Sequence, residues 1–369
     1  MKILFIAAAN STHTVRWVNS LSERGHDVML VFIKGHEPQE DVLNESVVPY
    51  CLQYGGAKGY YLNALELRSV KNSFQPDVIN VHYASGYGTL ARIARIGPFI
   101  LSVWGSDVYS FPNEGFLKYK ILKKNIMYAK KITSTSICMA NELKKVLKQP
   151  DFPIEVIPFG VNIQKFDPNQ YEKKDKKSIV IGNIKSLKPL YGIKELIDVF
   201  QLLVTDKTID ENIRESMQLV IYGGGEQKQE LENRVKELKL EKHVFLKGKI
   251  SNNEVPAALN EMDIFCALSH RESFGVSLVE AMAMEIPVIA TDIDGFKEVL
   301  IEGKTGVLVS SKNLNQCALE LKKLILNEDM RKEMGRKGRE HVIKAYNWND
   351  NVDKMETVYK QFNKRGYHI

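Results

Sequence analysis

Two glutamates eight residues apart, Glu272 and Glu280, bracket a short segment that enters an apolar helix. The apolar runs at 262–267 and 286–290 predict a strand on each side of it, so the unit is strand, loop, helix, strand. The N–H groups at the predicted helix N-terminus belong to Phe274, Gly275 and Val276. Such groups have no partner inside the helix and favour a phosphate or another anion.

The two carboxylates suit ligands that carry hydroxyl groups. Glu280 falls within a helix that is apolar almost all round, where a carboxylate is costly unless something binds it. An ionised carboxylate only accepts hydrogen bonds, so a ribose diol or a pair of sugar hydroxyls complements it. Glu272 lies at the mouth of the loop, next to Ser273. The alternative is a Glu280 paired with a nearby lysine and a Glu272 that faces solvent.

Further motifs share the order and spacing of one enzyme family. They occur at 24–28, 105–107, 156–162, 222–226 and 287–306. With the Glu-x7-Glu element, they give a chain that resembles family 4 of the retaining glycosyltransferases with the GT-B fold. The likeness spans nearly the whole chain.

The resemblance implies a nucleotide sugar as donor, UDP- or GDP-linked, and no cofactor. It implies that Glu272 binds hydroxyls of the donor sugar, that Glu280 holds the ribose, and that the main chain at Lys249 and Ile250 contacts the base. The remaining donor-binding residues it implies are Ser273, Phe274, Gly275, Val276, Gly223 and Gly224. Both glycines follow a predicted strand and open a helix, which allows close approach of a nucleotide.

The leaving diphosphate needs cations, and here the chain departs from the family. Relatives usually supply an Arg and a Lys after the first strand of the second domain, where this sequence has Ser186 and Tyr191. Lys185 and Lys188 lie on the same loop and are the candidates for the clamp on the diphosphate. A lysine supplies charge without the bidentate fork of arginine. The alternative is an ordinary exposed lysine loop.

A second departure concerns the acceptor side of the site. Trp104 begins a Trp-Gly-Ser-Asp motif where relatives commonly have His-Gly-x-Asp, and an indole cannot shuttle protons. Asp107 is a candidate contact for acceptor or donor hydroxyls, or a turn-forming residue beside Gly105. Asn10 and His13 are the polar members of the loop after the first strand, although His13 also suits a capping or packing role.

Composition indicates a globular protein without a bound metal. The 369 residues suffice for two domains, 44% are hydrophobic and 26% are charged. The four cysteines are scattered, which argues against a zinc site or a disulfide framework and predicts a cytoplasmic location. The sequence Asp-x-Asp at 292–294 matches a motif that holds a metal in another glycosyltransferase architecture. Here it follows a strand of the second domain, so we expect no metal.

The net charge of +6 is concentrated in one stretch. Lysines interleave with aromatic and aliphatic residues over 116–148, against the single acid Glu142 in the lysine-rich part. This pattern is typical either of a helix that rests on anionic lipid or of a solvated face. No nucleic-acid-binding motif accompanies it, so a nucleic-acid partner is not expected.

Apolar runs alternate with helical patterns in two halves. Strands are predicted at 3–7, 28–32, 78–82, 99–104, 132–135 and 155–157, then at 179–182, 219–222, 244–246, 264–267, 288–291 and 307–309. The run at 4–9 fits a first strand better than a signal segment. A polar linker is placed at 166–177. The predicted fold is α/β, with two facing Rossmann-like, doubly wound domains of the GT-B type and a cleft between them.

The predicted domains are an acceptor-binding domain at 1–168 and a donor-binding domain at 169–351. By resemblance alone, the helix at 352–369 crosses back to the first domain. The predicted function is retaining transfer of a hexosyl unit to a saccharide acceptor that is lipid-linked, in assembly of cell-surface polysaccharide or glycolipid. The alternatives are a soluble acceptor, a sugar-nucleotide epimerase of the same fold, and a two-domain protein that binds a sugar without reacting.

Overall fold

The structure is a computed structural model that describes residues 1–172 and 178–364. The chain forms two compact units, Met1–Pro158 together with the chain from Asn349 onward, and Phe159–Trp348. The sequence placed the boundary later, at residue 168. Residues 159–168 pack with the second unit because Val161 pairs with Asn347 and the Arg339 guanidinium donates to the Phe166 carbonyl at 2.8 Å. Residues 173–177 of the expected linker lie outside the described residues.

The first unit is built on one parallel sheet. Its strands within the described residues are β1 (Lys2–Ile6), β2 (Asp27–Lys34), β3 (Val47–Gly55), β4 (Val78–His82), β5 (Ile100–Val103), β6 (Lys131–Ser134) and β7 (Glu155–Val156). They are arranged in the order β3-β2-β1-β4-β5-β6-β7, and every neighbouring pair is parallel. The strand order therefore reverses between β1 and β4.

Seven helices connect these strands. They are α1 (Thr12–Glu23), α2 (Gly56–Leu62), α3 (Ala64–Phe74), α4 (Gly86–Ala94), α5 (Ser106–Tyr109), α6 (Phe116–Tyr128) and α7 (Ile137–Leu147), counted over the described part of the unit. All five residues of β4 are buried, as expected of a central strand covered on both faces. The sequence missed β3, an edge strand next to β2 whose mostly exposed residues and Pro49 give no apolar run.

The second unit repeats the architecture with another parallel sheet. Its described strands are β8 (Val180–Ile184), β9 (Gln218–Tyr222), β10 (Val244–Gly248), β11 (Ile264–Ala267), β12 (Val288–Thr291) and β13 (Gly306–Val309). The order is β10-β9-β8-β11-β12-β13, so it reverses between β8 and β11. The helices are α8 (Ile193–Thr205), α9 (Glu211–Ser216), α10 (Lys228–Glu237), α11 (Val255–Asn260), α12 (Val276–Ala283), α13 (Asp294–Val299), α14 (Leu314–Leu326) and α15 (Glu328–Ala345).

The prediction of two doubly wound parallel α/β domains is confirmed. Each unit has its own apolar core, formed between the buried strand faces and the covering helices. The hydrophobic pattern predicted these strands because central parallel strands are buried on both faces. They therefore appear in the sequence as short continuous apolar runs.

The final helix, α16 (Trp348–Lys364), packs on the first unit. Arg24 pairs with Asp353, and His26 Nε2 lies 3.1 Å from Glu356 Oε1. The fully buried Tyr359 hydroxyl donates to Asn80 Oδ1 on β4 at 2.8 Å. The last part of the predicted helix at 352–369, residues 365–369, lies outside the described residues.

We expect Tyr359→Phe to lower the free energy of unfolding by about 1 kcal/mol, because Asn80 Oδ1 loses a buried hydrogen-bond donor while the ring stays in place. Urea unfolding followed by circular dichroism measures the change. Tyr61→Phe is the matched control, since Tyr61 is 51% exposed and should shift stability by less than about 0.5 kcal/mol. Equal stability of Tyr359→Phe and the unmodified protein would show that this bond does not help to hold α16.

Candidate active site

The candidate site of the second unit lies where its strand order reverses. Ligands of open parallel sheets bind outside the carboxyl ends of the strands at such a reversal, because the two flanking loops diverge there. The loops that leave β8 and β11 carry Lys185 and Glu272, respectively. Lys185 and Glu272 thus lie in the loops that follow the two strands on either side of the reversal.

Lys185 and Glu272 form an ion pair across these two loops. Only 17% of the Lys185 side chain and 13% of the Glu272 side chain are exposed, so water screens their attraction weakly. Lys185 Nζ also lies 4.8 Å from the centroid of the Tyr191 ring, within cation–π range. Sequence reasoning counted Tyr191 only as a lost cation, and no signal in the sequence indicates that its ring would face Lys185.

Backbone contacts hold the Lys185 loop against the loop after β9. The Lys185 N–H donates to the Tyr222 carbonyl and the Leu187 N–H to the Gly224 carbonyl, both at 3.0 Å. Gly223 lies so close that a Cβ there would be 1.8 Å from the Lys185 carbonyl oxygen. The glycine therefore permits the close approach of the two loops that places Lys185.

Close packing also supports the Glu272 loop. A Cβ on Gly295 would lie 2.4 Å from the Glu272 carbonyl oxygen. Helix α13 therefore approaches this loop so closely that only a glycine fits at position 295. Phe274 is 1% exposed, and its ring packs 5.4 Å from the Tyr346 ring and 6.4 Å from the Phe159 ring. Its side chain is therefore a core anchor that holds the loop in place.

Helix α12 begins directly after this loop. Gly275 adopts φ 111°, a left-handed conformation that favours glycine, and the helix runs from Val276. The first N–H groups of a helix generally lack an intrahelical acceptor, and here the Leu278 N–H donates to the Gly275 carbonyl at 3.0 Å. The Ser277 Oγ in that turn is buried and has no hydrogen-bond partner among the described residues. This helix end thus presents donors of the kind that bind an anion.

Glu280 lies on the one incompletely buried stripe of α12. Val276 and Glu280, one helical turn apart, are partly exposed, whereas the other residues of the helix are buried. Ser273, in the loop before the helix, is also partly exposed. The structure thus places Glu280 on the same stripe as Val276, the first residue of the helix.

The other predicted donor residues surround the ends of β9 and β10. The Gly223 N–H donates to the Gly248 carbonyl at 2.8 Å, and a Cβ on Gly224 would lie 3.7 Å from Lys249 Cβ. Lys249 is exposed and Ile250 is partly exposed. Lys188 is exposed at the start of a short 3₁₀ turn, Pro189–Tyr191.

The predicted acceptor residues lie at the corresponding reversal of the first unit, around the carboxyl ends of β1, β4 and β5. Asn10 is exposed, and its N–H donates to the His36 carbonyl at 3.1 Å. The His13 ring lies 5.8 Å from the Trp104 ring, and Trp104 itself is partly exposed. The structure therefore brings His13 and Trp104 together.

Asp107 has the turn-forming role that the sequence left as the alternative. Its side chain is fully buried and accepts hydrogen bonds from the N–H groups of Ala84 at 2.9 Å, Gly105 at 2.8 Å and Trp104 at 3.2 Å. Burial raises the pKa of Asp107, and these backbone donors oppose the rise. Its oxygens are occupied by the loop, so Asp107 positions Trp104 instead of contacting a substrate.

No three His, Cys, Asp or Glu side chains come together to hold a metal ion anywhere in residues 1–172 and 178–364. Asp292, in the Asp-x-Asp spelling, instead pairs with Lys297 at 2.6 Å.

Comparison with known families defines the class of protein. Residues 164–341 match the family described as glycosyl transferases group 1, and residues 2–136 match the family described as glycosyl transferase 4-like. Two parallel-sheet α/β units of this kind define the GT-B fold. The chain belongs to the family 4 glycosyltransferases of group 1, and it is a glycosyltransferase.

Curated relatives agree with this assignment. An uncharacterised glycosyltransferase of Methanocaldococcus jannaschii is 29% identical over 85% of this chain and 84% of its own length. The N-acetyl-alpha-D-glucosaminyl L-malate synthase of Bacillus anthracis is 26% identical over 77% of this chain and 74% of its own length. The capsular polysaccharide biosynthesis glycosyltransferase CapM of Staphylococcus aureus is 28% identical over 67% of this chain and 60% of its own length.

Solved structures share the fold at low identity. Sucrose-phosphate synthase from Thermosynechococcus elongatus superposes with a TM-score of 0.83 at 17% identity, over 99% of this chain and all of that chain. Anabaena HepE in complex with UDP-glucose superposes with a TM-score of 0.78 at 16% identity, over 98% of this chain and 100% of that chain.

The close contact between Gly223 and the Lys185 carbonyl predicts that a methyl group added at position 223 lowers stability. Gly223→Ala should destabilise the second unit by about 1–3 kcal/mol and displace Lys185, because the new Cβ would overlap a backbone oxygen that cannot move freely. Gly224→Ala is the matched control, because its Cβ would be in ordinary contact at 3.7 Å. Thermal unfolding of both variants measures the difference, and equal melting temperatures would contradict the close approach described here.

Proposed function

We propose that the protein is a retaining, metal-independent hexosyltransferase that uses a UDP- or GDP-linked sugar and a saccharide acceptor. The observation that supports this most directly is the Lys185–Glu272 pair, which joins the loops after β8 and β11 beside the N-terminus of α12. It combines a cation, a carboxylate and backbone donors. Those are the groups that a pyrophosphate and a sugar need.

In the proposed donor binding, Lys185 exchanges Glu272 for the diphosphate. In the structure Lys185 pairs with Glu272. A diphosphate at the α12 N-terminus brings more negative charge than one carboxylate, so it competes for Lys185 and for the exposed Lys188. Glu272 is then released to accept hydrogen bonds from donor-sugar hydroxyls, and Glu280 binds the ribose diol. Lys249 and Ile250 contact the base through the main chain.

The proposed transfer proceeds on one face of the donor sugar. The acceptor hydroxyl oxygen attacks the anomeric carbon from the side on which the diphosphate leaves, so the configuration is retained. The bond from the anomeric carbon to the phosphate oxygen breaks, and the departing phosphate takes the acceptor's proton. Lys185 and the α12 N–H groups stabilise the charge that grows on the leaving oxygen. No covalent glycosyl-enzyme is required.

We further propose that the acceptor is lipid-linked, as in the assembly of cell-surface polysaccharide or glycolipid, and that the protein works at the cytoplasmic side of a membrane. Within the described residues, the chain has no helix of the length and apolarity that crossing a bilayer needs. The four cysteines, all described, are free thiols, which suits a reducing compartment.

Helix α6 offers a face for peripheral membrane contact. Phe116 is 67% exposed and Leu117 is 75% exposed at its start, and Lys120 and Lys124 continue the exposed side. Leu122, Asn125 and Ile126 form the opposite, buried side. The exposed apolar residues can enter the boundary of the acyl chains while the lysines meet anionic headgroups.

Substitutions in the ion pair test the transferase proposal. Glu272→Ala should reduce turnover to near background, Glu280→Gln should weaken donor binding, and Lys185→Ala should lower kcat by about 10²-fold, since each removes a group that binds the donor or the leaving charge. Released nucleoside diphosphate measures turnover, and Lys312→Ala, at an exposed loop position, is the control.

The donor for this assay is found by a thermal-shift screen against nucleotide sugars, since a ligand of the folded state raises its melting temperature. Unchanged kinetics in all three variants would remove the basis for the assigned roles. A product of the donor's mass formed without an acceptor would instead identify an epimerase.

Replacing Phe116 and Leu117 together with serine should reduce binding to vesicles that contain anionic phosphatidylglycerol, because two exposed apolar side chains no longer enter the bilayer. Flotation of the full chain with vesicles measures this. The control is Leu319→Ser on α14, where the leucine is 59% exposed on the other unit. Equal flotation of the double variant and the unmodified protein would exclude α6 as the contact.

A further inference from the structure

An aromatic cluster occupies the strand reversal of the first unit, at the carboxyl ends of β1, β4 and β5. The Trp104 ring lies 4.8 Å from the His82 ring, 5.8 Å from the His13 ring and 6.2 Å from the Tyr83 ring. The three interplanar angles are 85°, 81° and 72°. All three neighbours are therefore steeply inclined to the indole plane, an arrangement that fixes its orientation.

Trp104 differs from the other two tryptophans in its exposure. Trp17 and Trp348 are 2% and 4% exposed and belong to the cores, whereas Trp104 stays partly exposed despite its three aromatic neighbours. A tryptophan is large and rarely fully buried, and the partial exposure of Trp104 leaves part of its surface accessible. The orientation and the exposure together indicate an indole held for contact with something outside the fold.

Tyr83 reaches this cluster through a strained backbone. Its φ is 77°, a left-handed value that costs free energy for a residue with a bulky side chain and that is found mainly at functional sites. The surroundings impose it. The Tyr83 N–H donates to the Ser102 carbonyl at 2.9 Å, and its hydroxyl lies 2.7 Å from Ser106 Oγ. The left-handed turn directs the ring toward Trp104 at the very end of β4.

His82 supports the indole from the buried side. Asn80 Nδ2 donates to the Ile100 carbonyl and to Ser102 Oγ, so Asn80 Oδ1 must be the acceptor for the His82 Nε2–H at 2.8 Å. His82 Nε2 therefore carries a proton, and burial lowers the pKa of His82 well below the usual value, which favours the neutral ring. The imidazole fixed in this way packs against the Trp104 ring at 85°.

We propose that Trp104 and Tyr83 form a carbohydrate-binding platform that takes a pyranose ring of the acceptor. One face of a pyranose presents C–H groups, which pack on the electron-rich face of an indole, while its hydroxyls point outward. The Tyr83 and Ser106 hydroxyls, paired at 2.7 Å, are in place to exchange hydrogen bonds with those outward groups. This inference rests on the proposed transfer to a saccharide acceptor.

The platform is tested by saturation-transfer difference NMR with the full chain and the methyl glycosides of glucose, galactose, mannose and N-acetylglucosamine. We expect transfer to the ring C–H protons of at least one glycoside. Trp104→Ala should abolish it and Trp104→Phe should retain part of it, since a smaller aromatic face remains. Tyr61→Ala, which removes an exposed aromatic ring on α2, should leave the signal unchanged.

A kinetic readout separates binding from packing. Once a donor and an acceptor are identified, Trp104→Ala should raise the acceptor KM about tenfold while donor hydrolysis in the absence of acceptor stays near normal, since an aromatic contact contributes about 0.5–1.5 kcal/mol. A role in packing alone would lower the melting temperature and reduce both reactions together.

The outcomes distinguish this inference from the proposed transferase activity. Equal saturation transfer in Trp104→Ala and the unmodified protein, or none from any glycoside while nucleotide sugars still stabilise the fold, would overturn the platform and leave the donor site standing. Glycoside binding that depends on Trp104, in a protein that no nucleotide sugar stabilises, would support the platform and overturn the transferase proposal.

Discussion

The ion pair between Lys185 and Glu272 is the interaction on which the candidate donor site depends. Both side chains are largely withdrawn from water, so each would be an uncompensated charge without the other. The pair stays in place because the Lys185 backbone is tied to the Tyr222 carbonyl and the Glu272 loop rests on Gly295. An incoming anion therefore meets a cation whose present partner is itself able to bind sugar hydroxyls.

The two units present different groups at the strand reversals of their sheets. In the second unit the strand reversal presents charges and a helix N-terminus, which suit a diphosphate. In the first unit the reversal presents rings, and below them a polar ladder runs from Asn80 through Ser102 to Thr133. Tyr359 of α16 also bonds to Asn80, so the helix that returns to this unit supports the same buried network. Uncharged aromatic surfaces and hydroxyls suit a saccharide better than a phosphate.

Sequence patterns predicted the parts of the fold that depend on burial alone. Central strands such as β4 and β11 are buried throughout and mostly apolar because both faces are covered, whereas the edge strand β3 carries a mixed pattern and was missed. The candidate donor loop was found because its residues are contiguous. Contacts that join distant segments could not be predicted, such as Tyr191 over Lys185 or the three amides on Asp107. The left-handed backbone of Tyr83 could not be predicted from the residue type, since tyrosine disfavours that conformation.

The position of Tyr191 gives the Lys185 side chain a fixed direction. An ammonium is a compact charge on a flexible chain, and it lacks the planar fork by which arginine fixes its own direction. Here the direction comes from outside the side chain, because the Tyr191 ring lies on one side of Lys185 Nζ and Glu272 on another. A second cation at position 191 would repel Lys185, whereas an aromatic ring attracts it. The Tyr191 ring and Glu272 thus hold the Lys185 ammonium between them.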